Sequence, residues 1–173
     1  MTDPEILERD AQPTVAVRVT QPMAELDLAS AFDRSMPLVA SRIGDAGGTI
    51  GGPPYARYHR FGPDVVDVEI GFPVTSTAED LPSLTDVPQG EVGRSELPGG
   101  AVARATHVGP YDRLSATYDA LHEWIHGQAG YDDGAGPWES YVEDPSSATD
   151  PSALRTEIVW PLVRTRSGVD HAG

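Results

Sequence analysis

Two residue types are missing from this 173-residue chain: it has no cysteine, and all 12 of its basic side chains are arginine. The first absence excludes disulfides, thiolate nucleophiles and cysteine-ligated zinc. The second excludes Schiff-base chemistry, pyridoxal phosphate anchoring and the phosphate-binding lysine of a P-loop. No apolar run approaches the length of a membrane span, and the opening stretch MTDPEILERDAQP has no apolar segment of the signal-peptide kind. A cytoplasmic location is the expectation. Positive charge is scarce as well: 27 acidic residues against 12 arginines give a formal net charge of −15. Such a surface disfavours nonspecific attraction to nucleic acid or to an anionic membrane, and favours cationic partners.

What the chain does have is a repeat. The runs VDVEIGFPV (Val66–Val74) and LRTEIVWPL (Leu154–Leu162) align Glu69, Ile70, Phe72 and Pro73 with Glu157, Ile158, Trp160 and Pro161. Upstream of each, GPPYARY and GPWESY pair Tyr55 with Trp138 and Tyr58 with Tyr141. The hydrophobic content of 39% suits one core, so the repeat is read as two copies of one supersecondary unit within a single domain.

Residues 1–13 carry little periodicity and are expected to be a loose tail. VAVRVT, from Val15 to Thr20, is rich in β-branched residues and predicts a strand. Leu28, Phe32, Val39 and Ile43 lie near helical spacing and predict a helix over 28–46, with Pro37 kinking it or starting its main segment. Strands at Tyr55–Phe61 and Val65–Val74 complete a β-α-β-β module over about 14–74. An acidic connector spans 75–90. A second module follows over about 91–164, with a hairpin of 91–97 and 101–107 and a helix over 111–127 marked by Leu114, Tyr118, Leu121 and Ile125. Its closing strands are Trp138–Glu143 and Leu154–Leu162, and residues 165–173 are expected to fray. The expected fold is α+β: two tandem β-α-β-β modules with pseudo-twofold symmetry, a curved antiparallel sheet with both helices on one side, and a central groove.

Three stretches carry a chemical signal. His122-Glu123-Trp124-Ile125-His126 matches H-E-x-x-H on a helix, where two histidines one turn apart can hold zinc. No Gly-x-x-His follows at the metzincin spacing, and a loop and hairpin stand where a ligand-bearing helix would be needed. The match is read as boundary residues beside the apolar stripe, and no metal is expected. The glycine-rich run GDAGGTIGGPP lacks the Gly-Lys-Ser/Thr of a phosphate loop, and no G-x-S-x-G elbow is present. The aromatic and carboxylate set of the repeat is the remaining signal. It is asymmetric, because Ala56 stands in the first copy where Glu139 stands in the second.

Four stretches resemble the GyrI-like small-molecule-binding domain, also known as the bacterial transcription activator effector-binding domain. They are GPPYARYH (Gly52–His59), THVGPYDRL (Thr106–Leu114), PWESYVEDP (Pro137–Pro145) and LRTEIVWPL (Leu154–Leu162). The resemblance spans about Val15 to Val163. It implies two β-α-β-β modules with a ligand groove, and ligands that are bulky aromatic or lipophilic cations held by Glu and aromatic side chains. Residue by residue, it places the acid of the E-x-Y motif on Glu139 and its tyrosine on Tyr141. The acid of T-E-I falls on Glu157 and the tyrosine of G-P-Y on Tyr111. The segment before Val15 is too short for a helix-turn-helix, so a stand-alone domain is the expectation.

The expected function is therefore capture of hydrophobic, planar or cationic small molecules, in a resistance or sequestration role. The candidate lining is Glu139, Tyr141, Glu157, Tyr111, Tyr58, Trp138 and Trp160, with Glu69, Phe72 and Tyr55 from the first copy. Simple alternation sets Trp138 and Trp160 on faces opposite Glu139 and Glu157. Hydrolysis of a strained, cyclopropane-bearing genotoxin is the alternative, with Glu139 or Glu157 as base and the other acid or Tyr111 orienting the water. A further alternative is a protein partner such as DNA gyrase. No cofactor is implied.

Overall fold

The computed structural model describes residues 4–75, 81–109, 114–134, 136–141 and 155–165. Among these residues nine strands and two α-helices run in the order β1 (Glu5–Arg9), β2 (Gln12–Pro22), α1 (Leu28–Asp45), β3 (Tyr55–Phe61), β4 (Val65–Pro73), β5 (Val92–Leu97), β6 (Gly100–Val108), α2 (Leu114–His126), β7 (Tyr131–Asp133), β8 (Trp138–Tyr141) and β9 (Arg155–Arg164). The fold is α+β, and every strand pair described below is antiparallel.

The chain divides into two compact units, residues 11–98 and residues 1–10 with 99–173. In the first unit β2 is flanked by β4 and β5, and β3 adds to the other edge of β4. In the second unit β6 is flanked by β9 and β1, β8 adds to the other edge of β9, and β7 pairs with the end of β9. Each unit contains a β-α-β-β order, but the expected hairpin of 91–97 and 101–107 does not form: β5 pairs with β2 and belongs to the first unit, because the open edge of β2 takes it up, while β6 lies between β1 and β9. The registers of the two units agree residue by residue: Ala56 faces Ile70 as Glu139 faces Ile158, and Tyr58 faces Val68 as Tyr141 faces Thr156.

The first residues depart from the expected loose tail. Residues 5–9 form β1, pairing along β6 from Glu5 opposite Arg104 to Arg9 opposite Gly100. Ile6 and Leu7 lie beside Ala103 and Val102, while Glu8 meets Arg164 at 2.5 Å and Glu5 pairs with Arg104. Five residues, three of them charged and without period-2 alternation, give too weak a local signal for a strand; the edge of β6 supplies the rest.

Helix α1 begins at an Asp27 N-cap, whose carboxylate accepts the Ser30 N–H at 3.1 Å. It buries Ala31, Ser35, Val39 and Ile43, four residues at successive turns, and packs on β2 and β4. Pro37 lies within the helix on its exposed side, where water can serve the carbonyl that proline leaves without a donor. Helix α2 buries Thr117, Leu121 and Ile125. Leu121 and Ile125 join Ala103, Ala105 and Ile158 in the core of the second unit. The connector before β5 makes a short 3-10 turn at Leu84–Asp86. It lies directly on the sheet: a Cβ at Gly93 would stand 2.6 Å from Leu84 Cα and 2.7 Å from Leu84 N.

Two stability outcomes follow from this packing. Leu121→Ala, at a site with 0% exposure, is expected to cost about 2–5 kcal/mol in urea unfolding. Gly93→Ala forces backbone apart and is expected to cost about 1–3 kcal/mol, whereas Gly44→Ala meets nothing within 4 Å and should not destabilise. Equal unfolding midpoints for the two glycine variants would show that the connector does not rest on β5.

Candidate functional site

Side chains of residues directly opposite in an antiparallel pair share a face. In the second unit this puts Glu139, Tyr141, Thr156, Ile158, Trp160, Ala103, Ala105 and His107 on one face of β8, β9 and β6. Helix α2 covers that face, and a polar cluster sits among the apolar contacts. Glu139, 5% exposed, accepts hydrogen bonds from Tyr118 at 2.8 Å and from Tyr141 at 2.5 Å. His107 Nδ1 lies 2.7 Å from the Thr117 hydroxyl. Thr156 is fully buried, and its hydroxyl has no hydrogen-bond partner among the described residues. The ring of Trp160 meets Tyr118 edge-on with centroids 6.0 Å apart.

Burial pushes the Glu139 carboxyl above the usual carboxylate range, although the bonds from Tyr141 and Tyr118 and the charge of His107 pull the other way. Both bonds come from neutral phenols. Tyr118, Tyr141 and Trp160 are only half-buried, so the cluster is closed at its carboxylate and open at its aromatic rim.

The first unit shows that the fold does not require these polar groups. In register, Val19, Ala56 and Val68 occupy the positions of His107, Glu139 and Thr156, and the helix-facing side there is apolar. Tyr58 and Phe72 stand at the positions of Tyr141 and Trp160, in the half-buried margin of that apolar side.

The first unit has its own buried carboxylate on the opposite face. Glu69 is 2% exposed, bonded by Tyr55 and by His59 Nε2 at 2.9 Å, and Tyr55 also reaches Thr14 at 3.0 Å. Burial would raise its pKa, but hydrogen bonds from His59, Tyr55 and Ser95 more than offset that and hold it below the usual range. Burial and the Glu69 charge push Tyr55 well above the usual phenol value. A cleft of about 450 Å³ opens here, lined by Arg18, Arg57, His59, Glu69, Arg94 and Ser95 among others. Arg18 pairs with Asp67 across the strands. Tyr55 itself is buried under the cleft instead of lining it.

The expected lining is therefore divided. Glu139, Tyr141 and Trp160 are brought together. Glu157 and Trp138 lie on the other face of the same strands, so Glu139 and Glu157 do not act on one substrate atom as an acid pair. Trp138 is buried with Arg9 over its ring at 5.0 Å, and Glu157 lies 3.9 Å from Arg104. Alternation separates Glu139 from Trp138 but sets it beside Trp160, two positions along from Ile158. Tyr111 lies outside the described residues. Tyr118, His107, Thr117 and Thr156 were missed. Tyr118 looked like one member of an apolar stripe, and nothing local marks the others.

The lowered pKa of Glu69 gives a signed outcome. Its stabilisation is present above the unfolded-state carboxylate pKa and is lost as pH falls through the folded value. Glu69→Gln is expected to be less stable than the parent at neutral pH, with the gap closing as pH falls into the acid range. Chemical denaturation at a series of pH values measures it, and a pH-independent gap would contradict the assignment.

The GyrI-like small molecule binding domain model matches residues 2–163. No curated protein matches the chain. Among solved structures, the EcmrR C-terminal domain aligns with a TM-score of 0.75 and 22% identity, covering 94% of this chain and 98% of that domain. In an EcmrR–DNA complex the match spans 58% of the longer EcmrR chain. SAV2435, bound to tetraphenylphosphonium, aligns with a TM-score of 0.63, 15% identity and coverage of 98% of this chain and 97% of that one. A hydrolase from Listeria innocua aligns with a TM-score of 0.61, 15% identity and coverage of 92% and 91%. At these identities the structural matches speak for the fold, and the family model speaks for descent: the chain belongs to the GyrI-like small molecule binding domain family.

Proposed function

We propose that the chain binds a bulky aromatic or lipophilic cation at the Glu139 cluster of its second unit. The observation that carries this reading is the substitution of a polar set, Glu139, His107 and Thr156, for positions that are Ala56, Val19 and Val68 on the same scaffold in the first unit. A buried carboxylate is unfavourable unless compensated, and two phenols compensate it only in part. A cation entering at the rim displaces one phenol, neutralises the charge and packs against Tyr118, Tyr141 and Trp160, each ring adding roughly 0.5–2 kcal/mol of cation–π attraction. The family assignment and the lipophilic cation held by SAV2435 support the same ligand class.

Tetraphenylphosphonium is a direct probe. Quenching of tryptophan fluorescence is expected to show saturable binding, with the neutral triphenylphosphine oxide binding more weakly. Glu139→Gln is expected to weaken the cation about ten-fold or more, as loss of a desolvated charge partner should. Because the cation binds the ionised carboxylate, affinity should rise with pH through the raised Glu139 pKa and become flat in the variant. Equal affinity of parent and variant, or no preference for charge, would refute the site.

The raised pKa of Glu139 also supports a second reading, hydrolysis of a strained-ring electrophile in the same place. Glu139 takes the proton of the water as its oxygen bonds to the ring carbon, the strained C–C bond breaks with its electron pair passing into the conjugated acceptor of the electrophile, and that acceptor takes up the proton from Glu139. Such general-base help is typically worth roughly 10²–10⁴-fold, and Tyr118 or Tyr141 orients the water. The hydrolase among the structural relatives is consistent with this chemistry. Incubation with cyclopropane-bearing electrophiles, followed by mass spectrometry, is expected to give a water adduct with the parent and none with Glu139→Gln. Recovery of every substrate intact would leave binding as the function.

A further inference from the structure

The H-E-x-x-H run of α2 meets the Glu139 cluster only at its rim, where His122 stacks on Trp160, and the fold brings the two histidines a third donor. Its two histidines project from successive turns at the end of the helix, with Nε2 of His122 and Nε2 of His126 3.1 Å apart. Strand β7 places Asp133 against them: its Oδ1 lies 2.8 Å from His126 Nε2 and 3.5 Å from His122 Nε2. We propose that His122, His126 and Asp133 form a binding site for a divalent late first-row transition metal ion, with zinc the expected occupant.

The spacing argues for a metal over a plain hydrogen-bonded triad. An Nε2–H on either histidine serves one of these contacts well, whereas a single cation placed among the three donor atoms satisfies all of them at once. An ion about 2.0–2.1 Å from each donor would set the donors about 3.3 Å apart in a tetrahedron and about 2.9 Å apart in an octahedron. The three observed separations bracket those values. Two imidazoles and one carboxylate suit zinc and its neighbours, whereas calcium and magnesium prefer all-oxygen sets.

The donors are also held in place. The His122 ring stacks on Trp160 at 5.2 Å with 30° between planes. Trp160 Nε1 donates to the Gly134 carbonyl at 2.9 Å, fixing the residue after Asp133. Asp133 pairs with Leu162 in the β7–β9 ladder, and Gly134 N–H donates to Pro161 O at 2.7 Å. A Cβ at position 134 would stand 2.8 Å from that same oxygen, so the turn requires glycine. The negative end of α2 adds to the attraction for a cation. The side chains of His122, His126 and Asp133 are 47%, 49% and 31% exposed, which leaves coordination positions open to water, as in catalytic rather than structural zinc sites.

The test uses the whole chain, stripped with a chelator and titrated with zinc chloride by calorimetry. Cobalt chloride serves as a spectroscopic substitute. About one zinc per chain is expected, with an intense visible cobalt band of the tetrahedral kind and a raised thermal midpoint, because the ion ties β7 to the last turn of α2. His126→Ala and Asp133→Asn should each weaken zinc about ten-fold or more, and His122→Asn should do the same. Asp132→Asn, on the neighbouring β7 residue whose side chain alternates away, should bind like the parent. Circular dichroism in chelator separates lost binding from lost folding, and three independent ligand variants keep a misfolded one from deciding the outcome. Absence of saturable zinc binding would overturn the proposal, as would undiminished binding in folded His126→Ala and Asp133→Asn.

Discussion

The second unit depends on the antiparallel register of β9 between β6 and β8. Side chains on a strand alternate, so pairing Glu139 with Ile158 turns Thr156, Ile158 and Trp160 toward α2 and turns Glu157 and Val159 away. A slip of one residue would bring Glu157 under the helix and put Ile158 on the far face. Burial of Ile158 with Ala103, Ala105, Leu121 and Ile125 is what fixes the choice. The buried carboxylate is therefore positioned by its apolar neighbours.

The two units show how one scaffold accommodates different chemistry. Both put an apolar residue of the E-I pair, Ile70 or Ile158, at the centre of the helix-facing side. Around Ile70 the neighbours are Ala56, Val68 and Val17, an ordinary core. Around Ile158 they include Glu139 and, one pair further along, His107 and Thr156. The repeated acid, Glu69 or Glu157, faces the other way in both. Glu69 is sealed by Tyr55 and His59, while Glu157 remains half-exposed near Arg104. The Tyr118 and Tyr141 hydroxyls partner the Glu139 carboxylate in part, while the buried Thr156 hydroxyl beside it has no hydrogen-bond partner among the described residues.

Much of the fold was legible because its signals are local. The β-branched run at Val15–Thr20, the helical stripe through Leu121 and Ile125, and the glycine-marked loops each report on their own segment. The repeat supplied the long-range information, and its alignment of Ala56 with Glu139 and Tyr58 with Tyr141 agrees with the registers. β1 was illegible, since EILER becomes a strand only by pairing with β6. The site was legible in part. Glu139 and Tyr141 stood out through the resemblance, but Tyr118 reads as core on a helical wheel, and its hydroxyl partner lies 21 residues away.

The sequence by itself determined the class of fold, the family, the excluded chemistries and the identity of the acids, because composition, period and repeat are properties of the chain alone. Only the tertiary structure decided which acids face which side, that Glu139 shares its surroundings with Trp160 and not with Glu157, and that Asp133 lies against His122 and His126. The reason is geometric. Period-2 alternation makes the face of every side chain depend on strand register, and register is set by burial across strands that are distant in sequence.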